Sequence, residues 1–123
     1  MAEQAIDILI IGSGEAGKYL AWTMAQAGKR AVVVERKLIG GSCPNIACLP
    51  SKNIIHSAKV ADLARHASEF GLTIGKPAVD MTGVRHRKRQ MVDGLIELHL
   101  GKYGASGAEL LMGEARFVGP KTV

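Results

Sequence analysis

The chain begins with two runs of hydrophobic residues that flank a segment of helical periodicity. Residues 6–11 are almost all aliphatic, as is typical of a parallel strand covered on both faces, and residues 31–35 form a second, β-branched run. Between them, residues 15–27 predict a helix that ends before Gly28. The apolar stripe of this helix is predicted at Ala16, Leu20, Met24 and Ala27. Together these residues predict a strand–helix–strand unit with a right-handed crossover.

Two further helices are predicted downstream. Residues 53–71 are rich in alanine and predict a helix that ends at a glycine, whereas residues 72–81 predict a loop or short extended stretch. The face on which this helix packs is predicted to consist of mostly small residues, namely Ile55, Ala58, Ala61 and Ala64. Residues 82–103 predict a second long helix, broken by residues 104–107, and residues 108–123 predict a strand, a turn and the start of another strand. The predicted fold class is therefore α/β, with a Rossmann-like strand–helix–strand unit and additional helices.

The composition is that of one globular domain. The chain has 123 residues, of which 47% are hydrophobic and 15 are glycines, which suits an α/β protein with tight turns. No apolar run approaches the roughly 18 residues of a membrane span, and the N-terminus lacks the features of a signal peptide. We therefore expect a cytoplasmic protein without membrane contact. In that compartment a cysteine pair is more often catalytic or metal-binding than structural.

The formal net charge of +5 raises the question of a nucleic-acid partner. Much of the excess lies in residues 85–89, RHRKR, inside the second long helix. Hydrophobic residues recur around this run at helical spacing, at Val84, Met91, Leu95 and Leu98. The run is therefore predicted to be the solvated side of an amphipathic helix, with a phosphate- or partner-binding patch as the alternative. Because no aromatic residues for base stacking are interleaved with it, no nucleic-acid partner is expected.

A glycine-rich loop joins the first predicted strand to the first helix. Gly12, Gly14 and Gly17 form the pattern G-x-G-x-x-G, and Glu35 ends the next strand. In a dinucleotide site these glycines would permit a tight turn, admit a pyrophosphate close to the backbone, and let helix and strand pack closely. Glu35 would accept hydrogen bonds from the hydroxyls of a ribose. The alternative is a glycine turn without a ligand, and the pattern does not itself distinguish FAD from NAD.

The only two cysteines, Cys43 and Cys48, follow the second predicted strand. Three interpretations compete: zinc ligands, two unrelated buried thiols, and a redox-active pair. A zinc site would need two more ligands, and the histidines at positions 56, 66, 86 and 99 form no compact ligand pattern. No metal site is therefore expected, and a redox-active pair is favoured.

A disulfide between these cysteines would exclude a regular helix around them. Residues five apart in an α-helix have Cα atoms about 8–9 Å apart, whereas a disulfide needs less than about 7 Å. Pro44 and Pro50 agree with a distorted turn, and Ser51 is predicted to cap a further helical stretch. Backbone N–H groups at that helix start, together with the Lys52 ammonium, are expected to lower the pKa of a nearby thiol.

Residues 40–52, GGSCPNIACLPSK, closely resemble the redox-disulfide motif of the class I pyridine nucleotide-disulfide oxidoreductases. This flavoprotein family includes dihydrolipoamide dehydrogenase, glutathione reductase and mercuric reductase, and its usual motif is GGTCxNxGCxPSK. The glycine loop and Glu35 also lie where the family's FAD-binding strand–helix–strand unit lies. The resemblance extends from Asp7 to the GEARF stretch, which is essentially the whole chain.

The resemblance implies a role for each matching residue of the redox motif. Cys43 would be the interchange thiol, which faces the substrate and forms a mixed disulfide. Cys48 would be the charge-transfer thiol beside the flavin, and Lys52 would stabilise charge near the reducible flavin nitrogen. The implied cofactor is FAD and the implied co-substrate is NAD(P)H, with a disulfide, a dithiol or a metal ion as the substrate.

The resemblance also implies a set of FAD-binding residues. Gly12, Gly14 and Gly17 would hold the pyrophosphate, and Glu35 would bind the adenosine ribose. The remaining implied positions are Gly41 and Ser42 beside the phosphates, and Glu114 and Ala115 beside the adenine.

Two positions depart from the usual motif. Ser42 replaces a threonine and keeps the hydroxyl, whereas Ala47 replaces a glycine. If position 47 needs a positive φ, alanine is unfavourable there. The departure therefore favours a subgroup with different local geometry, nearer the mercuric-reductase-like branch.

Three parts of the family's architecture have no counterpart in this sequence. They are a second glycine fingerprint for NAD(P)H, a segment that completes the flavin site, and a C-terminal dimerisation domain with a catalytic His–Glu pair. We therefore expect residues 1–123 to be the N-terminal part of an FAD-binding, redox-disulfide domain of a homodimeric enzyme, inactive alone. None of the four histidines is assigned the acid–base role. The alternative is a stand-alone nucleotide-binding or thiol redox-sensing module without turnover.

Overall fold

The computed structural model describes residues 4–123 and contains a three-stranded parallel sheet. Its strands are β1 (Ile8–Ile11), β2 (Ala31–Glu35) and β3 (Glu109–Met112), in the spatial order β1–β2–β3. The central strand is β2, because Val33 pairs with both Ile10 of β1 and Leu110 of β3. The fold class is α/β, as predicted, and β1, β2 and the intervening helix form the predicted strand–helix–strand unit.

Helices connect the strands. Helix α1 (Glu15–Gln26) joins β1 to β2, since parallel neighbours need a crossover connection. The segments between β2 and β3 are α2 (Ser42–Asn45), α3 (Cys48–Arg65), a 3₁₀ turn (Ala67–Phe70) and α4 (Met81–Ser106). Asp80 caps α4, because its side chain accepts a 2.9 Å hydrogen bond from the Thr82 N–H. Gly107 ends α4 in the left-handed conformation, with a φ of 78°.

The core lies between the sheet, α1 and α4. It consists of Ile10, Ala21, Trp22, Val33, Tyr103 and Ala108. The predicted stripe on α1 is wrong, because three of its four members are exposed and only Met24 is partly buried. Ala21 and Trp22 face the core instead. The reason is Gly17, whose Cα lies against β1, so that the residues one turn later point at the sheet.

The ends of the long helices also differ from the prediction. Helix α3 begins at Cys48 rather than at residue 53, and α4 continues through Gly104 to Ser106. A helical glycine loses only about 1 kcal/mol relative to alanine, and burial of Tyr103 in the core outweighs this loss. Within the described residues, the strand predicted near the C-terminus is replaced by an isolated bridge between residues 119 and 122.

Polar groups join helices α3 and α4, and the predicted face of small residues on α3 is only partly buried. Ala61 and Ala64 are half-buried, as predicted, whereas Ile55 and Ala58 are exposed. Asn53 and Ser57 are also half-buried. The Arg87 guanidinium of α4 donates hydrogen bonds to the Asn53 carbonyl and, at 2.7 Å, to the Ser57 hydroxyl. Most of the basic run is therefore solvated, as predicted, but one of its residues also joins two helices. Among residues 4–123, no helix has the length and apolar character needed to cross a membrane.

Candidate functional site

The three glycines of the loop after β1 have different steric surroundings. Gly12 has a φ of 95°, which glycine adopts readily, so the chain turns tightly there. A Cβ on Gly14 would meet no atom within 4 Å, so open space lies beside the backbone at the start of α1. A Cβ on Gly17 would lie 2.3 Å from the Gly12 carbonyl oxygen and 3.0 Å from Ile10 Cγ2. Only a glycine at position 17 therefore lets α1 approach β1 this closely.

Glu35, at the end of β2, is 7% exposed and accepts four hydrogen bonds. Its Oε2 accepts from the Ser13 N–H at 2.9 Å and from the Ser13 hydroxyl at 2.7 Å. Its Oε1 accepts from the N–H groups of Lys37 and Leu38, at 2.8 and 2.9 Å. Burial alone would raise the pKa of Glu35, but these hydrogen bonds outweigh it and lower the pKa to about 2. The carboxylate thus ties the glycine loop to the turn after β2, a role that the sequence did not predict.

The turn after β2 contacts the glycine loop directly. The Gly40 N–H donates a 2.9 Å hydrogen bond to the hydroxyl of Ser13, which is fully buried. Gly40 and Gly41 both have positive φ, of 87° and 83°. A Cβ on Gly41 would lie 2.7 Å from Gly14 Cα, so only glycine fits where the two backbones meet. The segment that carries the cysteines therefore starts against the glycine loop.

The two cysteines lie on either side of a helix break. Cys43 is in the short helix α2 and Cys48 is the first residue of α3, while Ile46 and Ala47 between them have non-helical conformations. The predicted distortion of this segment is therefore confirmed. Ala47 has a φ of −118°, and within the described residues every positive φ belongs to a glycine. Alanine at position 47 thus needs no left-handed conformation, which removes the physical reason for assigning the chain to a separate subgroup.

Both cysteines are free thiols, with Cys43 half-buried and Cys48 exposed. The neighbouring Cys48 thiol is the main cause that raises the pKa of Cys43 above its ordinary value of 9.0, and burial and the charge of Glu15 raise it further. Lys52 lowers this pKa, but its effect is the smallest of these. The expectation of a lowered thiol pKa is therefore wrong for Cys43. Because Cys48 has the largest influence on this pKa, the two thiols lie near each other. Within residues 4–123, no group of three or more His, Cys, Asp or Glu side chains could hold a metal ion.

The start of α3 differs from the prediction at Ser51. Because the helix begins at Cys48, Pro50 lies in its first turn, where proline is tolerated, and Ser51 lies inside the helix. The Ser51 hydroxyl donates to the carbonyls of Ala47 and Cys48, at 2.7 and 3.0 Å, and therefore does not cap the helix. Lys52 follows Cys48 by one turn, on the same helix face.

A cavity of about 330 Å³ lies beside the glycine loop, where β1 and β2 end. Its lining residues are Ile11, Gly12, Val34, Glu35, Arg36, Gly113, Glu114 and Ala115. The Gly113 N–H donates a 2.9 Å hydrogen bond to the Glu35 carbonyl, which holds the segment after β3 at this edge. The structure thus brings Glu114 and Ala115 together with the glycine loop and Glu35, whereas Ser42 and Lys52 lie outside the cavity lining.

The chain matches the pyridine nucleotide-disulphide oxidoreductase family over residues 6–123. It belongs to this family. Dihydrolipoyl dehydrogenase of Mycoplasma pneumoniae is 34% identical to it over 118 residues, which cover 95% of this chain and 26% of that protein. Dihydrolipoyl dehydrogenase of Chlamydia muridarum is 38% identical over 96 residues, which cover 75% of this chain and 21% of that protein. The chain spans about a quarter of the length of the curated relatives it matches.

The fold of this family member is similar to that of RclA, an HOCl-induced flavoprotein disulfide reductase from Escherichia coli solved as its Cu(II) complex. The TM-score is 0.76 and the sequence identity 28%, over 94% of this chain and 23% of that one. A second RclA structure gives a TM-score of 0.73 with 29% identity, over 90% of this chain and 22% of that one. The resemblance that residues 40–52 indicated is therefore confirmed at the level of the family.

A buried polar cluster next to the family's motif was not predicted from the sequence. Lys18 of α1 is 2% exposed, and its Nζ lies 2.6 Å from Glu15 Oε1 and 3.1 Å from His99 Nε2. His99 belongs to α4 and is also buried; burial, followed by the charge of Lys18, lowers its pKa. Hydrophobic periodicity carries no signal for this contact, because Lys18 and His99 are 81 positions apart in the chain.

Proposed function

We propose that this chain provides the FAD-binding loop and the redox-active cysteine pair of a flavoprotein disulfide oxidoreductase. The intact enzyme would move electrons between NAD(P)H and a disulfide, dithiol or metal-ion substrate, using FAD and the Cys43–Cys48 pair. Relatives named dihydrolipoyl dehydrogenase and flavoprotein disulfide reductase support this class of reaction.

The observation that carries the proposal is the contact between Gly41 and Gly14. It brings the cysteine-bearing segment against the loop that leaves open space at the start of α1. A pyrophosphate bound to the N–H groups of that loop would therefore lie beside the segment that leads to Cys43. A nucleotide-binding module without turnover would not require a cysteine pair at this position, so the enzyme is favoured over that alternative.

The described residues fit an FAD molecule at both ends of its nucleotide half. Open space at Gly14 admits a pyrophosphate next to N–H groups of the first turn of α1, which have no partner within the helix. The cavity beside the glycine loop would take the adenosine, with Glu114 and Ala115 on one side. Glu35 would face the ribose, but its four internal hydrogen bonds already use its acceptor sites. A ribose hydroxyl would therefore bind Glu35 by displacing one of these donors.

The cysteines would carry out the thiol–disulfide exchange. FAD, when bound, would supply reversible two-electron transfer with a nicotinamide. Two electrons and two protons convert the Cys43–Cys48 disulfide into two thiols. The Cys43 thiolate then attacks a substrate disulfide, which forms a mixed disulfide and releases the first substrate thiol. Cys48 attacks the Cys43 sulfur, which re-forms the internal disulfide and releases the second substrate thiol, and oxidation of a dithiol follows the same steps in reverse.

The surroundings of Cys48 suit a sulfur that contacts a cofactor. Its thiol is exposed at the first residue of α3, so it is free to meet a bound flavin, and the Lys52 ammonium lies one turn away. The N-terminus of an α-helix also favours negative charge, and Cys48 lies at that end of α3.

We further propose that NAD(P)H binding, dimerisation and acid–base catalysis by a His–Glu pair depend on regions that this sequence does not contain. Residues 1–123 would then be inactive alone and would act as part of a cytoplasmic homodimer. The chain matches about a quarter of each relative, which supports assigning these functions to other regions of the intact enzyme.

The test uses the intact protein purified under native conditions. A flavin absorption spectrum should be present, and adding NAD(P)H should make about two new thiols per chain available to a thiol reagent. Cys48→Ser should retain the flavin and lose turnover. The matched control is Ser51→Ala, which removes an exposed hydroxyl from the same helix and should leave turnover unchanged.

Each part of the proposal has its own failing result. A colourless protein would contradict FAD binding, whatever the behaviour of the cysteines. A flavin-containing protein that exposes no new thiols with NAD(P)H, or that still turns over as Cys48→Ser, would contradict the redox role of the pair.

A further inference from the structure

Three segments of the chain meet at Gly40, just before Cys43. The fully buried Ser13 hydroxyl accepts the Gly40 N–H, and a Cβ on Gly40 would lie 2.5 Å from His99 Nδ1 and 3.1 Å from Pro44 Cγ. Pro44 directly follows Cys43 and is also fully buried. Gly40, three residues before Cys43, therefore packs closely against both the His99 ring and the Pro44 side chain.

The position of His99 is fixed in turn by Lys18. Both side chains are buried, and the Lys18 ammonium lies 3.1 Å from His99 Nε2. Because an ammonium only donates, Nε2 accepts the hydrogen bond, and His99 is neutral with its proton on Nδ1. That Nδ1 finds no hydrogen-bond partner within residues 4–123 and faces the Gly40 backbone. Neither His99 nor Lys18 has a role in the exchange steps proposed above.

We propose that Lys18 and His99 are positioning residues, which hold the Gly40 turn and thereby fix where Cys43 lies relative to Cys48 and the glycine loop. The importance of that position for catalysis rests on the proposed function, but the positioning itself does not. Loss of the Lys18–His99 hydrogen bond would leave a buried ammonium with one partner fewer, and the turn and Cys43 would move to relieve it.

Lys18 also neutralises a carboxylate that acts on Cys43. The ionisable groups that influence the Cys43 thiol are Cys48 and Lys52 of α3 and Glu15 of α1. Glu15 is held by the Lys18 ammonium at 2.6 Å, although its side chain is half exposed. Lys18 therefore supports the Gly40 turn through His99. It also offsets the negative charge of Glu15, the residue of α1 that acts on the Cys43 thiol.

The test compares the alkylation rates of the two cysteines in the intact, reduced protein. His99→Leu keeps a side chain of similar bulk but removes the acceptor for Lys18, whereas His99→Gln keeps an acceptor. In His99→Leu, iodoacetamide should modify Cys43 about tenfold faster relative to Cys48, because taking one hydrogen-bond partner from a buried donor shifts a local equilibrium by about that factor. His99→Gln should restore the ratio to within about twofold of the native protein. The matched control is His86→Leu, an exposed histidine on the same helix, which should leave the ratio unchanged.

An unchanged ratio of Cys43 to Cys48 modification in His99→Leu would overturn the proposal, and so would equal acceleration of both cysteines, which indicates general loosening. If His99→Leu does not fold, Gly40→Ala tests the same contact from the other side, since its Cβ would meet the His99 ring. There, too, Cys43 alone should become more reactive, and an unchanged ratio would overturn the proposal. Alkylation needs neither flavin nor turnover, so this result is independent of whether the redox function is correct.

Discussion

Replacing Ser13 with alanine tests how the glycine loop is tied to the turn after β2. The Ser13 hydroxyl donates a 2.7 Å hydrogen bond to Glu35 and accepts a 2.9 Å hydrogen bond from the Gly40 N–H. The side chain is fully buried, so water cannot readily replace either partner. The alanine variant would keep the bond between the Ser13 N–H and Glu35, which is a backbone contact. The change therefore removes these two hydrogen bonds, together with a longer 3.3 Å contact between the hydroxyl and the Leu38 carbonyl, and leaves the loop backbone in place.

The expected loss of stability follows from these two bonds. A hydrogen bond to a charged group contributes about 1.5–3 kcal/mol, and a buried donor left without an acceptor costs about 1–3 kcal/mol. We therefore expect Ser13→Ala to lower the free energy of unfolding by about 3 kcal/mol. The matched control is Ser51→Ala, where the hydroxyl is exposed and donates only to the carbonyls of Ala47 and Cys48 at the start of α3. Its effect should stay within about 0.5 kcal/mol.

Urea unfolding of the intact protein, followed by far-ultraviolet circular dichroism, would measure both variants. A midpoint that falls much further for Ser13→Ala than for Ser51→Ala, at unchanged slope, would agree with the structure. If the two variants lose the same small amount, the Ser13 hydroxyl does not carry the contact between the loop and the turn. The proposed role of Ser13 in holding the glycine loop against the turn after β2 would then be wrong.

Three further predictions address the glycines and the buried ionisable groups. Gly17→Ala should lose about 2–3 kcal/mol in urea unfolding, because its Cβ would lie 2.3 Å from a backbone oxygen; Gly94→Ala, in open space on α4, should gain up to about 1 kcal/mol. Gly41→Ala should weaken FAD binding by at least about tenfold, measured by titrating the flavin-free protein, because a Cβ cannot fit beside Gly14. The pKa of His99 is lowered from 6.5 by burial and then by Lys18, so its contribution to stability is complete above pH 6.5 and is lost as the pH falls below it. The pKa of Glu35 is lowered from 4.5 to about 2, so its contribution to stability is lost only below pH 4.5. His99→Gln should therefore remove the decline in the free energy of unfolding between pH 7 and 5, but not the decline at lower pH.

The parts of the fold that depend on residues close together in the sequence could be predicted. The strand–helix–strand unit is encoded by two aliphatic runs and the glycines between them, and the structure has both strands and α1 there. The packed face of α1 could not be predicted, because apolar residues occur on both of its faces. Only the approach of Gly17 to β1, a contact between two elements, decides that Ala21 and Trp22 point inward.

The candidate site also has features that the sequence predicts and features that it does not. The broken helix between Cys43 and Cys48 follows from the reach of a disulfide and from the nearby prolines, both of which are local properties. The starting residue of α3 could not be predicted, because Pro50 is equally compatible with a helix that begins before it or after it. The contact between Lys18 and His99 joins residues of two helices that only the folded chain brings together. A buried lysine gives no periodic signal, since its charge makes it look like a surface residue.

The charges at the start of α1 explain why a glycine pattern alone does not make a phosphate site. A helix N-terminus favours an anion, but Glu15 already places a carboxylate there, paired with the Lys18 ammonium at 2.6 Å. A pyrophosphate would therefore meet a nearly neutral pair rather than a free positive charge. Its binding would depend on backbone N–H groups, and their positions depend on the hydrogen bonds of Ser13 and on the close contact between Gly14 and Gly41. The segment that leads to the cysteines takes part in the same contact, so the geometry that would hold the cofactor would also place the thiols near it.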